Sequence, residues 1–173
     1  MPYCKRADML RLCLLFGSCL LLAGLTACSS DTPSDESLAT GQGEYLRWCG
    51  SCHGNAGEGK PPAFPPLAGS EWLDLPDQAL AMIVLHGLRG EIEVAGRTYR
   101  GYMPPMRHLP DEDVAAIIGF VLASWGERQS LIDADQVGRL RAGQPQTPID
   151  GLEDLMRRIQ TRADEIQTEG GQS

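Results

Sequence analysis

Two thiols three residues apart, with an imidazole directly after the second, form the most chemically specific feature of this chain: Cys49-Gly50-Ser51-Cys52-His53. Three helical residues are close to one turn, so both sulfurs project from one side. Thiols held in this way can add to the two vinyl groups of one porphyrin, and the adjoining imidazole can then reach its iron. The spacing is that of covalent c-type haem attachment. Two rival uses of paired cysteines lack their surroundings. A thioredoxin-like pair sits in a βαβ pattern, which is absent here. A structural zinc site needs a second ligand pair, and Cys4, Cys13, Cys19 and Cys28 all lie in or at the end of an N-terminal export signal.

A haem held through His53 needs a sixth iron ligand from elsewhere. Tyr102-Met103-Pro104-Pro105-Met106 offers two thioethers. The prolines stiffen the segment and remove two backbone donors, and either sulfur satisfies the ligand chemistry. His86 and His108 offer bis-His coordination instead, the weaker alternative, since a lone histidine is more often a surface or core side chain.

The elements that must position these groups follow from periodicity. Leu38 to Cys52 is expected as a helix running into the haem motif, and Asn55 to Gly69 as a Gly- and Pro-rich loop. Asp77 to Leu88 and Asp111 to Trp125 carry apolar residues at helical spacing, and each starts with an aspartate placed to cap it. Glu91 to Arg100 alternates around Ala95-Gly96 and predicts a short hairpin. Residues 38–126 thus make a small domain, in which a haem would supply missing apolar filling. Residues 127–173 form an extension. Thr147-Pro148 reads as the start of a helix over about 148–167, striped by Leu152, Met156, Ile159, Ala163 and Ile166 and expected to pack on its own domain.

Over Gly41 to Gly126 the chain resembles the small monohaem class I cytochromes c. Besides the motif, Gly41, Tyr45 and Cys49 recur at intervals of four, and Ile117 and Phe120 stand where the family's last helix crosses its first. The resemblance implies a mainly α fold of three to four helices around a covalent haem, a short β-hairpin before the Met-ligand loop, and here an extra C-terminal helix. It makes Met103 the sixth ligand, with Met106 the alternative. It also implies that a proline carbonyl accepts the other imidazole N–H, for which Pro66 is the expected residue and Pro65 the second choice. Trp72 and Tyr102 are candidates to reach a haem propionate. The stretch from Gly87 to Met106 is similar to cytochrome c domains or subunits of bacterial respiratory complexes.

The N-terminus carries an address. Lys5, Arg6 and Arg11 precede an apolar run from Leu12 to Leu25, of 14 residues. That is short for a membrane span and fits a signal-peptide core. Leu25-Thr26-Ala27-Cys28 resembles the lipobox of bacterial lipoproteins, which implies cleavage after residue 27, lipidation of Cys28 and a tether over residues 28–37. In lipoproteins of double-membraned bacteria, Ser29 after the cysteine resembles the outer-membrane type. The expected location is the periplasmic face of a membrane. The net charge of −8 becomes more negative once the cationic signal is removed. An acidic chain is a poor fit to nucleic acid, although Arg97, Arg100 and Arg107 flank the Met segment and could steer an acidic partner.

With His53 and Met103 filling both axial positions, the expected activity is outer-sphere transfer of single electrons between redox partner proteins of a respiratory chain, without catalysis at the iron. The competing expectations are a haem c subunit docked permanently on an oxidase, reductase or dehydrogenase, and a haem-based ligand sensor.

Overall fold

The computed structural model describes the backbone of residues 35–142 and 146–170, and the side chains within 36–142 and 146–161. The export signal, Cys28 and the tether up to residue 34 lie outside the described residues.

The frame is a crossing of the first helix, α1 (Asp35–Trp48), over α4 (Asp111–Trp125). Gly41 makes the crossing possible. A Cβ there would stand 2.1 Å from the Ala116 carbonyl oxygen and 3.0 Å from the Phe120 Cβ. The helices therefore meet at Ala116 and Phe120 rather than at Ile117, whose side chain is buried in the core. Tyr45, fully buried, packs on Phe120 and Trp125 with ring centroids 5.5 and 5.1 Å away. The helix starts at Asp35, inside the expected tether, and breaks at Cys49 before a single turn, α2 (Gly50–His53).

A loop then leads to a 3-10 turn over Glu71–Asp74 and to α3 (Asp77–His86), which ends short of the expected Leu88. Gly87 is the reason. It adopts φ +75°, and a Cβ at this position would lie 2.5 Å from the Met103 carbonyl oxygen. The chain turns there into β1 (Leu88–Val94), which pairs antiparallel with β2 (Arg97–Met103) from Leu88↔Met103 to Val94↔Arg97. The hairpin is longer than expected at both ends, and Met103 is its last residue. Ala95 and Gly96 both take positive φ, a two-residue turn whose twist suits the strands. Its tip is tied down: the Ala95 N–H donates to Glu71 Oε2, and the Trp72 ring N–H donates to the Glu93 carbonyl, both at 2.8 Å.

Asp77 and Asp111 do not cap their helices. Pro76 and Pro110 hold the capping positions, and each aspartate, one residue on, faces an arginine instead. The Asp77 carboxylate accepts from Arg128 Nη1 (2.5 Å), the Ser130 hydroxyl (2.8 Å) and the Leu131 N–H (2.7 Å). Burial alone would raise its pKa; the three donors and the Arg128 charge outweigh that and hold it below the usual carboxylate value. A carboxyl lowered on folding contributes stability above its unfolded pKa and loses that contribution as pH falls through the lowered value. Asp77→Asn is expected to cost about 1–3 kcal/mol at pH 7 and to flatten the acid side of the stability profile below about pH 4. Urea unfolding of both proteins across that range checks it, and parallel profiles would remove Asp77 from the account.

The extension differs most from expectation. It contains an extra helix, α5 (Ala134–Arg141), opened by a capping box in which Asp133 and Gln136 bond each other's backbone N–H. Thr147-Pro148 caps nothing. It leads into β3 (Ile149–Asp150), which pairs parallel with β1, and α6 (Gly151–Gly170) follows. The buried face of α6 carries Asp154 and Leu155, and Ile159 packs against the core. Leu152 and Met156 are exposed, while the side chains of Ala163 and Ile166 lie outside the described set. The predicted stripe is thus rotated. Asp154 sets the rotation, since its carboxylate accepts from the Asp150 N–H and pairs with Arg157 and Arg158. As expected, the helix packs on its own domain. No helix among the described residues is long and apolar enough to cross a membrane.

Candidate functional site

One apolar cavity of about 220 Å³ gathers the chemistry-bearing residues of the sequence. Cys49, at the break after α1, and Cys52 and His53 of α2 enter it from one side, and Met103 and Met106 from the end of β2 and the following loop. Leu80 and Ile83 of α3, Ile92 and Val94 of the hairpin, and Ile117 and Val121 of α4 line much of the remainder. The helix–helix crossing, the hairpin and the loop therefore act as walls. Among the described lining residues, His53 is the one imidazole, and the sulfurs are those of the two cysteines and two methionines.

The imidazole is prepared as a ligand. His53 Nδ1 lies 2.9 Å from the carbonyl oxygen of Pro65. A carbonyl can only accept, so Nδ1 carries the proton and Nε2 keeps its lone pair for a metal. Burial pushes the imidazole pKa down, and the Pro65 bond works against that shift. The ring is held in place as well as neutral. This corrects the expected acceptor, Pro66. The Lys60–Phe64 bridge and the Gly59 N–H bond to the His53 carbonyl (2.7 Å) fold the loop so that Pro65 turns its carbonyl to the ring, while Pro66 lines the cavity. Tyr45 braces the same turn from below. Its hydroxyl donates to the Gly54 carbonyl at 2.6 Å, and burial, with Cys49 and Glu58 adding to it, raises its pKa.

The thiols are not arranged as metal ligands. Burial pushes Cys49 up to about 11, with Cys52 adding to the shift, and no disulfide joins the two. Among the described residues no group of three or more histidine, cysteine and carboxylate side chains could hold a metal ion. Two adjacent sulfurs on an apolar cavity wall, next to a neutral oriented imidazole, fit a covalently bound porphyrin instead.

The other candidates are placed as follows. Met106 donates its N–H to the Val84 carbonyl at 2.8 Å, and Met103 pairs with Leu88. Both face the cavity, so the two thioethers remain the available pair. His86 and His108 do not line it. The His86 ring is buried against Arg107 Nη2 at 3.1 Å, and its pKa is lowered by burial and then by that cation. His108 packs edge-on to Trp48 at 4.8 Å. Trp72 spends its single ring donor on Glu93, so of the two aromatics proposed for a propionate Tyr102, exposed at the cavity edge, is the one left to reach it. The basic patch dissolves. Arg100 pairs with Glu91 at 2.5 Å and Arg107 turns inward, leaving Arg97 exposed beside the hairpin turn.

Residues 36–121 match the family model described as cytochrome C oxidase, cbb3-type, subunit III. Two cytochromes c-552 of Thermus thermophilus are similar. One is 35% identical over 132 residues, covering 71% of this chain and 82% of the relative. The other is 37% identical over 103 residues, covering 54% and 79%. A fructose dehydrogenase cytochrome subunit of Gluconobacter japonicus is 30% identical over 109 residues, covering 61% of this chain and 22% of that protein.

Proposed function

Because the chain belongs to the cytochrome c family, and so is an electron-transfer protein with covalent haem c, we propose that it carries single electrons along a periplasmic respiratory chain while anchored to a membrane by lipid on Cys28. When bound, haem c supplies a one-electron ferric/ferrous couple. The polypeptide supplies attachment, axial donors and a dry surround. Cys49 and Cys52 would hold the haem through thioethers, His53 would offer Nε2 to its iron, and Met103, with Met106 the alternative, would offer a thioether sulfur. The observation that carries this reading is the shared cavity. One imidazole, oriented by Pro65, and a second donor from a separate element line the same apolar space. A neutral thioether favours the reduced metal, and the apolar walls disfavour the extra positive charge of the oxidised state. With both donors engaged, the iron would have no open position for a substrate, which favours electron carriage over ligand sensing.

The membrane part of the proposal rests on the resemblance of Leu25-Thr26-Ala27-Cys28 to a lipobox. Acyl chains hold by about 0.8 kcal/mol for each buried CH₂, and two or more anchor stably. Cys28→Ser is expected to move the haem-containing protein from the membrane fraction to the aqueous phase or to block its maturation. Detergent partitioning with haem staining reads this, and an unaltered membrane fraction would count against the anchor. Ser29 favours the outer membrane. The likeness to a dehydrogenase cytochrome subunit makes permanent docking on an oxidoreductase the second reading. A stable partner that co-purifies after detergent extraction would favour it over a free carrier.

A further inference from the structure

The segment bearing both thioethers runs from Met103, at the end of β2, to Pro110, just before α4. Its first half is fixed by the domain itself, through the Met103 carbonyl seated against Gly87 and the Met106 N–H on Val84. Its second half is bonded by a side chain from the C-terminal extension, besides its own Leu109 N–H to the Met106 carbonyl (3.1 Å). Arg141, the last residue of α5, donates from Nη1 to the Arg107 carbonyl (2.6 Å) and from Nη2 to the Leu109 carbonyl (2.8 Å). Its Nε and Nη2 also donate to Asp111 Oδ1, at 2.8 and 2.5 Å. The family-model match ends at residue 121, so this arginine lies beyond it.

We propose that Arg141 is a positioning residue for the sulfur ligand: by locking both carbonyls after Met106 and the carboxylate that opens α4, it sets how firmly the loop holds a thioether at the iron. The inference rests on the reading that Met103 or Met106 is that ligand. Three features carry it. Every nitrogen of the guanidinium is bonded to this one short span. The fork is planar and rigid, so its bonds fix relative positions in a way a lysine cannot. The residue immediately after Met106 is held a second time, since the Arg107 side chain reaches back to His86 Nδ1 (3.1 Å) and to the Gln146 carbonyl (3.0 Å). The extension therefore grips the Met loop through both backbone and side chain.

Arg128 provides a matched control. It makes a comparable set of bonds, to Asp77 and the carbonyls of Leu73 and Leu75, and none to the Met loop. Exogenous imidazole competes with a thioether for ferric iron, so its apparent affinity rises by the factor by which the sulfur-bound state is weakened. In the haem-loaded full-length protein, Arg141→Gln is expected to bind imidazole about tenfold more tightly and to weaken the Met–iron charge-transfer band, with Arg141→Lys between it and the parent. Arg128→Gln is expected to lose similar thermal stability while binding imidazole as the parent does. Parent-like imidazole affinity in Arg141→Gln, or an equal rise in Arg128→Gln, would overturn the proposal. If Arg141→Gln does not accumulate with haem, Arg141→Lys and Asp111→Asn carry the same comparison. A parent protein without the charge-transfer band would instead sink the Met-ligand reading, and the role of Arg141 with it.

Discussion

Met103→Ala in the haem-loaded protein is expected to abolish the Met–iron charge-transfer band of the oxidised form and to lower the reduction potential by on the order of 0.2 V, within the roughly 0.8 V range that axial ligation controls. Removal of the thioether removes a soft neutral donor that stabilises the ferrous state. It also opens a coordination position, so the ferrous variant is expected to bind carbon monoxide and the ferric variant to show a high-spin fraction. The parent is expected to do neither. Met106→Ala is expected to keep the band and the potential and to lose about 2–3 kcal/mol of stability, as a partly buried methionine packed against the core. The two substitutions separate because the residues sit differently. Met103 closes the hairpin ladder against Leu88, with its carbonyl on Gly87, whereas Met106 stands in the loop beyond the ladder, with its N–H on Val84. The opposite pattern, loss of the band in Met106→Ala alone, would reassign the ligand. A parent that binds carbon monoxide rapidly would favour the sensor reading over electron carriage.

The second large effect falls at the crossing of α1 and α4. Gly41→Ala is expected to destabilise the domain by about 3 kcal/mol or more. The added carbon would sit 2.1 Å from a backbone oxygen of α4, which cannot step aside without moving the helix. Separation of α1 from α4 would also disturb the packing of Tyr45 on Phe120 and Trp125, and Tyr45 supports the turn after His53 through Gly54. Loss of stability should therefore be accompanied by poor haem retention. Thermal melting and the haem-to-protein ratio of purified material measure the two. A variant that melts with the parent and retains full haem would show that the crossing relaxes more easily than a backbone contact should. Gly43 is the internal comparison, since nothing lies within 4 Å of a Cβ placed there. Gly43→Ala should be neutral or slightly stabilising, by up to about 1 kcal/mol from helix propensity.

Some parts of the site were legible in the linear chain because they depend only on near neighbours. The pair Cys49 and Cys52 with His53 is a local motif, and α4 spans Asp111–Trp125 as its periodicity predicts. The hairpin was visible in its turn, though its length was not. Strand length depends on where the partner strand ends, and here Gly87 and the Met segment decide that together. The capping box of α5 lies in Asp133 and Gln136, two polar residues that carry no distinguishing pattern among their polar neighbours.

What the sequence determined by itself was chemistry. Two thiols, one imidazole and two candidate thioethers specify a covalent haem and its ligand types, because the reactivity of each group belongs to the side chain. Tertiary structure decided which atoms face them. It chose the carbonyl of Pro65 over Pro66 for His53, since the loop bridge between Lys60 and Phe64 aims that carbonyl at the ring. It turned α6 so that Leu155, and not Leu152 and Met156, meets the core, with the buried Asp154 carboxylate accepting from the Asp150 N–H and paired with Arg157 and Arg158. It also brought Arg141 to the Met loop across about thirty residues of chain, through contacts that no local pattern encodes. A motif is a property of neighbours in the chain. The direction of a carbonyl or a guanidinium is a property of everything packed around it.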